Sequence, residues 1–186
     1  ILLPPRPGSS VSEYSVIDRP SPLSYFVIWR EKPGGARPML ATLADPPLTG
    51  SSLVFEPKYD GIRALIEIEP ARPRPTVRIW SRLGNDKTTQ FPSIVSALAA
   101  FGATVGEPLV VDGEIVALDA MGKPVGFQRL QSRIHLSDAK DVERIDHEQP
   151  VAFIAFDILR EGNEDLRGLP LVERRKHLAR LFSASK

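Results

Sequence analysis

Two β-type runs joined by a short proline-rich link are the feature that most restricts how this chain can fold. Residues 62–69 and 76–81 are rich in isoleucine, leucine and valine, which favour strands in a buried sheet. The link at 70–75 reads Pro-Ala-Arg-Pro-Arg-Pro, and proline cannot donate a hydrogen bond to a β-ladder. The two runs are therefore predicted to form a hairpin with a stiff connection.

The rest of the chain adds strands and helices to this hairpin. Three further strands are predicted, at 52–57, 108–118 and 150–159. A turn at 119–123 is predicted to bend the chain back toward Val125. Helices are predicted at three places, Pro92 to Phe101, Phe127 to Ile134 and Leu171 to Phe182. We therefore predict an α+β fold of mostly antiparallel sheets flanked by helices.

The last predicted helix has an apolar side and a basic side. The residues predicted to face inward are Leu171, Leu178, Leu181 and Phe182. The residues predicted to face outward are Arg174, Arg175, Lys176 and Arg180. We interpret this basic side as a solvated surface, which is commoner than a DNA contact.

Composition is typical of one globular domain without disulfides. The 186 residues are 42% hydrophobic, contain no cysteine and carry a formal net charge of +1, so a thiolate site and a broad polycationic surface are excluded. A local concentration of basic residues is predicted to be either a phosphate-facing ridge or a solvated strand edge, and it comprises Arg72, Arg74, Arg78, Arg82 and Lys87. No apolar run of membrane-spanning length occurs, so no membrane role is predicted.

Two parts of the chain differ in character. Residues 1–36 are rich in proline and serine and are predicted to be a flexible or upstream lead segment, with a strand candidate at 25–29. Residues 37–186 carry the predicted strands and helices, so we expect them to form the functional domain.

One lysine stands between two carboxylates just before the first hairpin strand. Glu56, Lys58 and Asp60 alternate with other residues and are followed by Gly61 and Arg63. In an extended segment these three charged side chains would share one side. Such a cluster is a site or a salt bridge, and an isolated lysine of this kind is usually only solvated.

Four sequence blocks in order make the functional interpretation the stronger one. Residues 58–63 read Lys-Tyr-Asp-Gly-Ile-Arg, and the later blocks are Trp80 to Asp86, Val111 to Val116 and Ala155 to Leu159. Together they resemble the signature of the covalent nucleotidyltransferases, in the order found in ATP-dependent DNA ligases. The resemblance implies a nucleotidyltransferase fold, described as an ATP-grasp-like ligase adenylation domain.

Other stretches favour a DNA ligase within this superfamily. Residues 81–92 resemble the Ser-Arg-x-Gly-x-Asp-x-Thr-x-x-Phe-Pro pattern, especially as it occurs in bacterial end-joining repair ligases. Residues 37–41 resemble the Pro-Met-Leu-Ala that opens the catalytic domain, and 169–175 resemble a helix start in the same enzymes. The resemblance covers about residues 37 to 182, and no P-loop motif is present.

The resemblance implies a role for each matched residue. Lys58 would be the nucleophile that takes AMP from ATP, and Asp60 an active-site carboxylate needed in later steps. The resemblance places Glu56 beside adenine and Phe156 against the adenine face. Arg63 would contact the ribose, and Arg82 the ribose or the nick's 5′-phosphate. Glu114 would contact the ribose or a metal-bound water.

The lysine chemistry sets a physical requirement. Only an uncharged amine is a nucleophile, whereas a lysine with an unperturbed pKa of about 10.4 is protonated near neutrality. Flanking carboxylates favour the ammonium form. We therefore expect desolvation and a divalent cation carried in with ATP to lower the pKa of Lys58.

The resemblance also implies the surroundings of the reaction. It implies ATP with Mg²⁺ or Mn²⁺, and nicked double-stranded DNA as the partner. It further implies a DNA end-binding repair protein or a sliding clamp as a recruiting partner, a monomeric state, and a cytoplasmic, nucleoid-associated location. The family's later Glu-Gly and Lys-x-Lys blocks and its OB-fold are expected beyond Lys186. Residues 37–186 are thus expected to be the N-terminal portion of an incomplete adenylation domain.

Two other functions remain open from the sequence. One is a truncated, non-catalytic homologue that binds nucleotide or DNA. The other is an RNA ligase or a GTP-using capping-type nucleotidyltransferase, which the 81–92 block disfavours and nucleotide preference would decide.

Overall fold

The structure is a computed structural model, and it describes residues 37–41 and 55–183. In this part of the chain the strands are β1 (Ile62–Glu69), β2 (Thr76–Ser81), β3 (Leu109–Leu118), β4 (Pro124–Val125), β5 (Val151–Glu161) and β6 (Glu164–Asp165). The α-helices are α1 (Pro92–Val105), α2 (Ala139–Glu148) and α3 (Leu171–Ser183). Short 3-10 turns lie at Thr88–Gln90, Phe127–Leu130 and Leu166–Gly168.

All six strands form one antiparallel sheet. The strand order is β2-β1-β3-β5-β6, and β4 pairs with β3 beside this path. The proline-rich link joins β1 and β2 as an antiparallel hairpin in which Glu69 pairs with Thr76, as the sequence predicts. The predicted α+β class with a mostly antiparallel sheet is confirmed.

The two faces of the sheet have different coverings. On one face, helices α1 and α3 pack against the main hydrophobic core, whose largest fully buried members include Phe91, Ile66, Ile79, Leu109 and Ile115. On the opposite face a smaller apolar cluster is formed by Leu65, Trp80, Val110 and Leu159, with Met39 beside it. The candidate site described below shares this second face with Leu65, because β1 residues 63 and 65 point to the same side.

Strand β5 contains two bulges opposite β3. Asp112 pairs with Asp157 and Gly113 with Ala155, so Phe156 has no partner on β3. A second register shift leaves Leu159 without a partner in the same way. A bulge changes the direction of the local side chains and is often found beside active sites. Here it lies at the strand position of Phe156.

The predicted helix boundaries are partly wrong. The first helix runs four residues further than predicted, to Val105, and ends at Gly106 with φ of 75°. The helix predicted over 127–134 is only a 3-10 turn at Phe127–Leu130. Helix α2 and the short β6 were not predicted.

Two other predictions concern residues largely outside the described ranges. The 52–57 strand lies mostly outside them, and its described end, 55–57, belongs to no named strand. The lead segment 1–36, with its strand candidate, also lies outside the described residues.

The prediction that Arg174 faces outward is wrong. Its side chain is only 4% exposed and forms a two-pronged ion pair with Asp157 of β5, at 2.8 Å for both Nε–Oδ1 and Nη2–Oδ2. Its Nη1 also donates to the Leu169 carbonyl at 2.6 Å. Lys176 and Arg180 are exposed, as predicted. The helix therefore uses one of its basic residues to attach itself to the sheet.

Candidate active site

Arg63 is the centre of a cluster on the face opposite α1 and α3. Its Nε and Nη2 donate to Asp112 Oδ1 and Oδ2 at 3.1 and 2.8 Å, across the β1–β3 pairing. Its Nη2 also donates to the Met39 carbonyl at 2.7 Å. The guanidinium carbon lies 5.4 Å from the centre of the Phe156 ring, within the range of a cation–π contact. One residue thus connects β1, β3, β5 and the 37–41 segment.

The Arg63–Asp112 ion pair is held away from water on the carboxylate side. The Asp112 side chain has no exposed surface, and burial raises its pKa against the opposing influence of Arg63. Burial also acts to lower the pKa of Arg63, but the hydrogen bond and charge of Asp112 outweigh it, and that pKa is raised. A two-pronged guanidinium–carboxylate contact fixes the orientation of both groups.

Glu114 lies beside this pair and has a strongly perturbed acidity. Burial is the main cause that raises the pKa of Glu114 to about 7, and the charges of Asp112 and Asp60 add to it. The Gly61 amide, which donates to Glu114 Oε1 at 3.2 Å, and the charge of Arg63 act in the opposite direction. A half-buried carboxyl group that titrates near neutral pH is typical of functional sites.

Gly61 lies in close contact with β3, just after the loop that carries Lys58. A Cβ atom built at this position would lie 2.2 Å from the Ile115 carbonyl oxygen and 3.0 Å from Glu114 Cγ. No side chain fits there, because the obstacle is backbone of the neighbouring strand. Glycine therefore allows the 58–61 loop to lie directly on the strand that carries Glu114.

The three charged residues before Gly61 have separate surroundings. Asp60 is exposed, and its Oδ2 accepts a hydrogen bond from the Phe127 amide at 3.0 Å. Glu56 forms an ion pair with Arg175 of α3. The Arg175 side chain is only 24% exposed, and burial lowers its pKa. The prediction that Arg175 faces outward is therefore wrong. Lys58 is exposed in the loop between them.

Arg82 lies apart from this cluster. It is exposed in the turn that follows β2, where Ser81 and Asn85 are joined by a backbone hydrogen bond of 2.9 Å. None of the ion pairs found among the described residues includes Arg82. The structure brings together Asp60, Arg63, Glu114 and Phe156, whereas the contacts predicted for Arg82 and Glu56 with a nucleotide stay predictions.

Several members of the site were not predicted from the sequence. Asp112 had a detectable signal, because a carboxylate inside the apolar run Leu109–Leu118 needs a buried partner. The Met39 carbonyl and the Phe127 amide had none, since backbone groups occur at every residue.

The carboxylates suit a hard divalent cation bound together with phosphates. Among the described residues, no group of three or more His, Cys, Asp or Glu side chains is arranged to hold a metal. Magnesium usually binds through one or two protein carboxylates plus substrate phosphates. Glu114 is half-buried and borders the loop that carries Lys58 through the Gly61 amide, so it is a carboxylate of this kind and fits such an ion.

Comparison with known proteins identifies the family to which this fold and site belong. The family model described as ATP dependent DNA ligase domain matches residues 38–186. The chain therefore belongs to the ATP-dependent DNA ligase domain family, as its sequence blocks predict.

Individual relatives agree with this assignment. A probable DNA ligase of Streptomyces coelicolor is 34% identical over 92% of this chain and 32% of its own length. DNA ligase C of Mycobacterium tuberculosis is 35% identical over 80% of this chain and 38% of its own length. The bifunctional non-homologous end joining protein LigD of Bacillus subtilis is 34% identical over 80% of this chain and 24% of its own length.

A solved structure shares the fold. The ligase domain from M. tuberculosis LigD matches with a TM-score of 0.51 and 34% identity, over 68% of this chain and 36% of that chain. The chain thus spans between 24% and 38% of the length of these relatives. In the described part of the chain, no helix has the length and apolar character needed to cross a membrane.

Proposed function

We propose that this chain is the adenylation part of an ATP-dependent DNA ligase that seals nicks with 5′-phosphate and 3′-hydroxyl ends during repair or recombination. The observation that carries the proposal is the position of Lys58. Its loop lies directly before β1, and Gly61 fixes that loop against the strand bearing Glu114. Arg63, Asp112 and Phe156 lie in the cluster that includes Glu114.

Lys58 performs the covalent step in this proposal. Its uncharged Nζ attacks the α-phosphate of ATP, a P–N bond forms, and the P–O bond to pyrophosphate breaks. The Lys58 proton is lost to solvent or to a nearby carboxylate. The resulting lysyl-AMP then transfers AMP to the 5′-phosphate of a nick. The 3′-hydroxyl attacks this phosphate, and AMP leaves.

The nucleotide is held by groups whose geometry supports these roles. One side of the Phe156 ring faces the Arg63 guanidinium, so an adenine would stack on the other side. Within the described residues no acceptor is bonded to Arg63 Nη1, and its two N–H groups are directed to the ribose in this proposal. Glu56 and Arg82 are proposed to contact adenine and the ribose or 5′-phosphate, respectively.

Glu114 is proposed to hold Mg²⁺ or Mn²⁺ during AMP capture, whereas Asp60 acts in the later steps. The ion would neutralise phosphate charge and disfavour the ammonium form of Lys58. At neutral pH, Glu114 with a pKa of about 7 is only partly ionised. A bound cation would favour its carboxylate form.

Nicked double-stranded DNA is the proposed substrate, and the relatives named for end joining support a role in repair. A DNA end-binding protein or a sliding clamp as recruiter, a monomeric state and a cytoplasmic, nucleoid-associated location stay predictions from the sequence resemblance.

Covalent capture of AMP tests the proposal. The protein is incubated with Mg²⁺ and ATP or GTP labelled at the α-phosphate, then denatured, separated by electrophoresis and treated with acid. We expect an acid-labile label from ATP and none from GTP, and we expect Lys58→Ala to lose it completely. Lys176→Ala is the matched control, because that lysine is 68% exposed on α3.

A label retained by Lys58→Ala would contradict the proposal, because another residue would then be the nucleophile. Labelling by GTP instead of ATP would support a capping-type nucleotidyltransferase.

A further inference from the structure

The carboxylate of Asp60 is held by a segment far away in the sequence. Asp60 lies in the loop before β1, outside any strand. Its Oδ2 accepts a hydrogen bond from the backbone amide of Phe127, 67 positions later, at 3.0 Å. A hydrogen bond from a backbone amide to a carboxylate is charge-assisted and directional. The orientation of Asp60 therefore depends on where residues 126 and 127 lie.

Gly126 allows the Asp60 carboxylate to lie close to the backbone before Phe127. Its backbone has φ of −64° and ψ of 160°, a conformation that any residue adopts. A Cβ atom added there would lie 3.0 Å from Asp60 Oδ2 and has no other neighbour within 4 Å. The glycine is thus explained by the nearby carboxylate and not by its own backbone angles.

The segment is fixed on its N-terminal side by the sheet. Val125, which precedes Gly126, pairs with Ala117 of β3. Strand β3 also carries Glu114 and Asp112. The same strand therefore sets the positions of Glu114 and, through β4, of the amide that holds Asp60.

The segment is fixed on its C-terminal side by a buried arginine. Leu130 is buried, and the Arg133 side chain has no exposed surface. Arg133 Nη2 donates to the carbonyls of Ile145 and Gln149 at 2.9 and 3.0 Å. Gln90 binds the carbonyls at 134 and 136 through its Nε2, at 2.9 and 3.0 Å. Residues 127–136 are thus attached to α2 and to the turn before α1.

We propose that Gly126 and Phe127 are positioning residues for Asp60. The Phe127 amide sets the direction of the Asp60 carboxylate. The absence of a side chain at Gly126 leaves the space that this carboxylate occupies. This inference rests on the proposed function, in which Asp60 acts in the steps after lysyl-AMP formation. The segment contributes geometry and does not itself touch the reacting atoms.

Amide exchange tests the contact without any measurement of activity. In Asp60→Ala, at the protein's full encoded length, we expect hydrogen exchange of the Phe127 amide to accelerate about tenfold or more, because its acceptor is removed. The Arg129 amide, which donates to the Gly126 carbonyl at 3.1 Å, is the internal control and should exchange as before. Unchanged exchange at Phe127 would overturn the inference.

Nick sealing tests the consequence for function. We expect Gly126→Ala to slow single-turnover sealing of a nicked DNA by the AMP-loaded protein about tenfold, because a displacement of a few tenths of an ångström misplaces Asp60. The KM for ATP in AMP capture and the Tm should stay unchanged, which a general structural defect would not allow. Gly168→Ala is the matched control, since a Cβ there has no neighbour within 4 Å.

The outcomes separate the two proposals. A wild-type protein that captures no AMP would refute the proposed function, whereas the exchange result at Phe127 would still decide the contact. Normal AMP capture together with equal sealing rates for Gly126→Ala and Gly168→Ala would overturn the positioning role alone. A fall in sealing matched by a fall in Tm would overturn it as well.

Discussion

The acidity of Glu114 follows from its place between strands β1 and β3. Its carboxyl group accepts one backbone amide, from Gly61, and this does not replace the water lost on burial. The pKa is about 7 in the folded protein against an ordinary value of 4.5. Between these two values the folded state holds a proton that the unfolded state releases, so stability falls as the pH rises through that window.

Replacing Glu114 by glutamine should remove this pH dependence. Glutamine keeps the acceptor for the Gly61 amide but cannot ionise, so the Tm of Glu114→Gln relative to wild type should rise between pH 5 and pH 8. We expect a relative rise of about 3 °C, equivalent to about 1 kcal/mol after solvent screening of a half-buried group. Thermal unfolding at several pH values without ligand measures it.

Glu143→Gln on the exposed side of α2 is the control and should show no such trend. A constant difference between Glu114→Gln and wild type across this range would contradict the raised pKa.

At the residue scale, side-chain identity alone pointed to residues that the structure places near one another, whereas their roles stay predictions. Asp60, Arg63, Glu114 and Phe156 were all named, and the structure brings them together. The partner of Arg63, Asp112, could only be placed once the register of β1 against β3 was known. Register depends on the whole sheet and is not encoded at one position.

At the scale of elements, α3 shows why one prediction was wrong. Arg174, Leu178 and Leu181 are spaced as one helical stripe, and all three are buried. Arg174 has the spacing of an inward-facing residue, although arginine side chains are mostly exposed. The charge is accommodated because Asp157 on β5 supplies a carboxylate in a two-pronged contact.

Removing Arg174 should destabilise the fold strongly. In Arg174→Met the Asp157 carboxylate, on a residue that is 6% exposed, would lose its ion-pair partner. Breaking a buried pair in this way costs about 3–5 kcal/mol, measurable by urea unfolding. Lys176→Met on the same helix is the control and should change stability by less than about 0.5 kcal/mol. Similar values for the two variants would refute a structural role for the ion pair.

The sheet was predicted far better than the helices. The bounds of β1 and β2 are those predicted, because both strands combine β-type residues with proline at their ends. Helix α2 was missed because only Val142 and Ile145 are buried in its polar sequence. Its N-terminus is fixed by Asp138, which accepts from the amides of residues 140 and 141.

For the whole molecule, the net charge of +1 means that the proposed DNA binding must depend on local groups. Arg72 and Arg74 are exposed in the link between β1 and β2, and Arg78 and Arg82 are exposed on and after β2. This distribution along one strand agrees with both interpretations left open by the sequence, a phosphate-facing ridge and a solvated edge.

A double substitution decides between these two interpretations. If the link contacts phosphates, Arg72→Ala with Arg74→Ala should weaken binding to nicked DNA and lower the slope of log K against log salt by about 2, one per lost contact. AMP capture should not change. Arg144→Ala on α2, where the arginine is 57% exposed, is the control. An unchanged slope would identify the link as a solvated edge.

The two bulges of β5 also limit how this strand can be redesigned. After the first unpaired residue, the side chains of β5 lie on the opposite faces of the sheet from those they would otherwise have. The second unpaired residue restores the original alternation. Deleting one residue between them would send core residues to the face of the candidate site and site residues toward α1 and α3. A shortened or grafted version of β5 must therefore lose both bulge residues together or neither of them.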